Sequence, residues 1–169
     1  RVLCPASGPA RIRPTTDAIK HACEFYLQHG FTAVKFGWGV FGQDLKQDIK
    51  LVEAARQALG PDVALMVDAG WMVNRSAYDA VELCRLLEPY GIYWLEDFLH
   101  PESYEGYRKV KEAGVKTRIA AGEQEATAWG FRQLITQGKV DIVQPDLSRC
   151  GGFTQARKIV WEAEHADVD

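Results

Sequence analysis

Three acidic residues each follow a short apolar run at similar intervals along this 169-residue chain: Asp68 after 63–67, Glu96 after 92–95, and Glu123 after 118–121 and a glycine. Carboxylates brought together in a partly dry site repel one another strongly. A hard dication removes that penalty. An all-oxygen set without His or Cys selects Mg²⁺, Mn²⁺ or Ca²⁺ over zinc or copper. Mg²⁺ is preferred, because its catalytic sites keep positions open for water and substrate.

For any single acid of this kind, capping the following helix or pairing with a basic neighbour is the commoner role. Three in consecutive units make that explanation the weaker one. Asp146 follows the run 140–143 after Gln144-Pro145; on its own it reads equally as an N-cap for the next helix. Lys35, near the end of the run 31–36, could bind a substrate carboxylate or act as a base if its pKa were depressed. Position alone also allows a surface lysine.

The elements that must carry these residues alternate regularly. Helical spacing of apolar residues predicts helices over 17–30, 45–59, 77–87, 104–112, 131–137 and 153–163. Short β-favouring runs predict strands over 31–36, 63–67, 92–95, 118–121 and 140–143, with a first strand around Val2 to Cys4. Gly37-Trp38-Gly39 ends one strand in a flexible loop, and Gly60-Pro61, Gly91, Gly114 and Gly138 punctuate helix ends.

Strand, loop, helix and turn recur about every 25 residues, which calls for a parallel sheet with right-handed crossovers. The expected fold class is α/β, a partial TIM-type (β/α) barrel with about six βα units. In such a barrel catalytic groups gather at the C-terminal ends of the strands, where all the acids above fall. A complete barrel takes about 250 residues. Residues 1–169 are therefore expected to be an incomplete barrel, with a seventh strand beginning at Asp167-Val168-Asp169 and the last strands and any N-terminal capping domain absent.

The bulk properties narrow the partners. Twenty basic and 23 acidic residues give a net charge of −3, without a run of one sign, so nucleic acid is not an expected partner. No stretch approaches the roughly 18 apolar residues of a membrane span, and Arg1-Val2-Leu3-Cys4-Pro5 lacks a signal peptide's apolar region, so a cytoplasmic protein is expected. Cys4, Cys23, Cys84 and Cys150 are scattered without zinc spacing and are expected to be reduced structural thiols.

As a set, Val67-Asp68-Ala69-Gly70, Trp94-Leu95-Glu96-Asp97, Ala121-Gly122-Glu123-Gln124 and Gln144-Pro145-Asp146 with Gly151-Gly152 resemble the enolase superfamily, in its mandelate racemase/muconate lactonizing enzyme branch. The resemblance implies an Mg²⁺ ion held by Asp68, Glu96 and Glu123. That ion would bind the carboxylate of a small-molecule acid and stabilise the enediolate formed when the α-proton leaves. It casts Asp97 as a group orienting the ligands. It pairs Asp146 with a histidine on the next strand, a few residues beyond Asp169; His165 belongs to the preceding helix and does not fill that role.

Family members that racemise or cycloisomerise often carry Lys-x-Lys on the second strand. Here Lys35-Phe36-Gly37 keeps only the first lysine, which argues for a one-base reaction with Lys35 in substrate binding. The run from Glu123 to Leu134 resembles acid-sugar dehydratases of the L-rhamnonate type, although Gln124 stands where those enzymes typically have His. The expected activity is dehydration of an aldonic acid to a 2-keto-3-deoxy acid by a lyase that is a homo-oligomer at full length. The 169 residues alone are expected to be nearly inactive. The alternatives are a racemase or cycloisomerase of the same superfamily, and a non-catalytic metal-binding barrel.

Overall fold

The structure is a computed structural model, and it describes residues 2–3, 14–37, 41–70 and 75–169. Cys4 and loop residues 38 and 39 lie outside this set. Six strands alternate with six helices: β1 (Val2–Leu3), α1 (Thr16–Gln28), β2 (Ala33–Gly37), α2 (Leu45–Leu59), β3 (Ala64–Asp68), α3 (Ala77–Leu87), β4 (Ile92–Glu96), α4 (Tyr104–Glu112), β5 (Arg118–Ala121), α5 (Thr127–Gln133), β6 (Ile142–Val143) and α6 (Gly152–Ala166). A π turn, Leu134–Gly138, finishes α5.

All pairings are parallel, and the strands lie in the sheet in sequence order. A doubly wound sheet reverses its order at a switch point; an unbroken 1-to-6 order is the wall of a (β/α) barrel. Asp169 continues that wall. It receives the Val143 N–H at 2.9 Å and donates its own to Asp141 O at 3.1 Å, two backbone bonds alongside β6.

Local signals fix most helix ends. The Asp44 side chain caps α2, and Ser76 and Asp79 form a capping box at the start of α3. Helix α5 begins at Thr127, four residues before the expected start, because Gln155 Oε1 accepts the Ala128 N–H at 3.1 Å. That cap comes from α6 and has no trace in the local sequence.

The core lies between sheet and helices. Val34, Phe36, Leu65, Val67, Leu95 and Ile119 all belong to it. Side chains alternate along a strand, so Lys35, Asp68 and Glu96 stand on the opposite, concave face. The thiols of Cys23, Cys84 and Cys150 are free and buried, and burial pushes Cys23 up to about 11 and Cys84 up to about 12, as suits inert structural thiols.

Candidate active site

Strand register assembles the site. Gly37 aligns with Asp68, Asp68 with Glu96, and Glu96 with Ala120, so neighbouring strands present the first two acids side by side at their C-terminal ends. A register shift between β3 and β4 at Leu65/Val67 brings Asp68 and Glu96 level. Glu123 is reached through Gly122, whose φ is +128° and whose Cβ, if present, would lie 2.7 Å from the Phe131 ring. Only glycine carries the chain past Phe131 at that angle.

Glu96 is 1% exposed and fully engaged. Lys35 Nζ donates to its two oxygens at 2.6 and 2.7 Å, and the Trp94 indole N–H donates to Oε2 at 3.0 Å. The same ammonium lies 3.6 Å from Asp68 Oδ2. Asp68 also accepts the Gly70 N–H at 3.1 Å. Burial and the Glu96 carboxylate push Asp68 up to about 6, against the opposing pull of Lys35.

Asp97 stands out. It is 3% exposed, and its Oδ2 has no hydrogen-bond partner among the described residues. Burial, then the carboxylates of Glu123, Glu96 and Asp68, push it up to about 8. One carboxylate oxygen each from Glu96, Asp97 and Glu123 lies within 4.8 Å of the others. Asp97, cast from the sequence as an orienting group, is thus inside the tightest acidic set, while Asp68 stands beside it against Lys35. A buried oxygen with no protein donor among other carboxylates fits a hard dication, because an ion of that kind satisfies all of them together.

The Asp146 carboxylate is exposed and does not cap α6, whose N-cap is Gly151. Instead Oδ1 accepts the backbone N–H of Ser148 at 2.7 Å and its hydroxyl at 2.5 Å. These bonds hold the Asp146 carboxyl below the usual carboxylate range. His165 sits in the last turn of α6, where the sequence put it, and lines an outer groove with Trp129 and Trp161.

Two supporting residues escaped the sequence reading. Trp94 is two residues from Glu96 on one strand, a spacing that places both on one face and could have suggested the contact. Arg75 left no such signal. It donates to Gly70 O at 3.2 Å, to Phe98 O at 3.1 Å and to Phe41 O, and so ties together the loops after β3, β4 and β2. The buried Asp48, which accepts the Gly42 N–H at 2.6 Å, supplies negative charge near the guanidinium.

Carboxylates at the strand ends of a sequentially ordered parallel wall agree with comparison to known proteins. The model of the enolase C-terminal domain-like family matches residues 17–169, and the chain belongs to that family. It is 36% identical over 141 residues to a D-galactarolactone cycloisomerase of Agrobacterium fabrum, covering 82% of this chain and 32% of that protein. It is 38% identical over 134 residues to an L-rhamnonate dehydratase of Saccharopolyspora erythraea, covering 79% and 32% respectively. A crystal structure of a racemase from Streptomyces coelicolor A3(2) with bound magnesium matches with a TM-score of 0.83 and 32% identity, over 96% of this chain and 47% of that one. The chain spans about a third of the length of these two sequence relatives. Among the described residues, no helix is long and apolar enough to cross a membrane.

Proposed function

We propose that the protein carrying this chain is an acid-sugar dehydratase, in which Asp68, Glu96 and Glu123 hold Mg²⁺ with Asp97 beside them. The carrying observation is the set of Glu96, Asp97 and Glu123 oxygens within 4.8 Å of one another, together with the buried Asp97 Oδ2 that has no hydrogen-bond partner among the described residues. The bound ion would supply fixed positive charge against the negative charge that grows on a substrate carboxylate as its α-proton leaves. In this reading the chain contributes the metal-binding part of a complete barrel with its capping domain.

The chain's own residues do the rest of the positioning. Lys35, held between Glu96 and Asp68, places its ammonium where a substrate carboxylate arrives. Trp94 fixes the Glu96 carboxylate. Asp146, kept ionised by Ser148, is suited to orient a histidine from the neighbouring strand and stabilise its protonated form. The reaction would pass the C2 proton to that base, which would return a proton to the C3 hydroxyl as it leaves as water; the resulting enol tautomerises to a 2-keto-3-deoxy acid.

Gly37 favours a one-base reaction over a two-base racemase. A Cβ there would lie 2.7 Å from Asp68 Cβ, so a second lysine does not fit beside Asp68 as it is placed. A cycloisomerase remains the second reading, supported by the likeness to the D-galactarolactone enzyme. The test is a panel of aldonic acids and sugar-acid lactones incubated with the full protein and Mg²⁺ in deuterated water. Formation of 2-keto acid with loss of a hydroxyl is expected. Deuterium uptake with every hydroxyl retained would favour isomerisation, and no exchange on any acid would point to a non-catalytic barrel.

A further inference from the structure

Gln124 follows Glu123 directly and has partners at both ends of its amide. Its Nε2 donates to Glu123 Oε1 at 3.1 Å, and its Oε1 accepts from Arg149 Nη1 at 2.7 Å. The two outer groups permit only this orientation. A guanidinium only donates, and an ionised carboxylate only accepts. Turning the amide over would set its NH₂ against the guanidinium and its carbonyl against the carboxylate.

We infer that Gln124 is a positioning residue for Glu123, its amide locked by Arg149 so that the Glu123 carboxylate is held in one orientation towards a divalent cation. The inference rests on the reading of Glu123 as a cation ligand. Arg149 belongs to the loop after β6, where its backbone N–H also bonds Asp146 O at 3.0 Å, and Gln124 belongs to the loop after β5. The relay therefore fixes Glu123 against a second loop and not merely against its own. Hydrogen-bond partners of metal ligands typically change affinity by about 10- to 100-fold when removed.

The experiment uses Mn²⁺ as the probe, with the free-ion electron paramagnetic resonance signal reporting binding and melting in chelator reporting the fold. Gln124→Leu should weaken Mn²⁺ about tenfold while the cation-free melting temperature stays close to wild type. Arg149→Met, an independent substitution on the other loop, should weaken it about threefold or more. The double variant should bind no more weakly than Gln124→Leu alone, because one relay is being broken twice. Wild-type affinity in Gln124→Leu, or losses that multiply in the double variant, would overturn the inference. A wild-type protein that takes up no Mn²⁺ overturns the reading of Glu123 and this inference with it; normal uptake by wild type and Gln124→Leu alike sinks the inference only.

Discussion

Lys35 and Glu96 face each other across the concave side of the sheet, with the Lys35 ammonium within 2.7 Å of both Glu96 oxygens. Glu96 is almost wholly buried, and among the described residues this ammonium is the cation paired with it. Removing one member of such a pair leaves the other charge stranded, which costs far more than the pair contributes.

Lys35→Met should therefore destabilise the cation-free protein by about 3 kcal/mol in urea unfolding. Millimolar Mg²⁺ should restore more of that loss than it adds to wild type, because a dication can take over the neutralising role. Equal urea midpoints for variant and wild type in chelator would contradict this account of Glu96.

Gly37→Ala tests the closeness of β2 and β3. The added Cβ would meet Asp68 Cβ at 2.7 Å and the Asp68 carbonyl oxygen at 2.9 Å, and neither is the free end of a flexible side chain. A loss of about 1–3 kcal/mol is expected, as for overpacking elsewhere. It should come with weaker Mg²⁺ uptake by calorimetry, since Asp68 is the residue displaced.

Asp97→Asn should raise the melting temperature in chelator, because above the ordinary carboxylate range folding must either protonate this buried carboxyl or hold its charge beside Glu123, Glu96 and Asp68. The stabilisation by Mg²⁺ should shrink in the same variant, since ligand-linked stabilisation follows affinity. A variant that melts lower than wild type in chelator would show that the Asp97 charge is compensated in a way the geometry does not reveal.

Ser148→Ala concerns Asp146. The serine hydroxyl and backbone N–H lower the Asp146 carboxyl pKa, so their contribution to stability is present above the ordinary carboxylate range and is lost as pH falls through the depressed value. The variant keeps the backbone bond and loses the hydroxyl. Carboxyl-carbon NMR titration should place its Asp146 midpoint above that of wild type, and an unchanged midpoint would assign the shift elsewhere.

Helices α2, α3 and α4 begin and end where the sequence reading puts them, because their signals are local: Asp44 and Ser76 cap two of them, and apolar spacing marks all three. Strand-end acids were legible for the same reason, since a carboxylate after an apolar run is visible in a few residues. The start of α5 was not, because its capping group is Gln155, 27 residues away. Nor was the burial of Asp97, which depends on three neighbouring strands, nor Arg75, whose acceptors are backbone carbonyls that any residue type provides.

The carbonyl contacts of Arg75 bear on which parts of the rim can diversify. The loops after β2, β3 and β4 share one guanidinium, so an insertion in any of them must still return a carbonyl to the same cation. The loops after β5 and β6 are joined to each other by the Gln124 side-chain amide and by the backbone bond from the Thr127 N–H to Cys150 O at 3.2 Å. Side-chain exchange at Gln124 and Arg149 can therefore vary that half of the rim with its backbone bond intact, while the half gathered around Arg75 keeps its length.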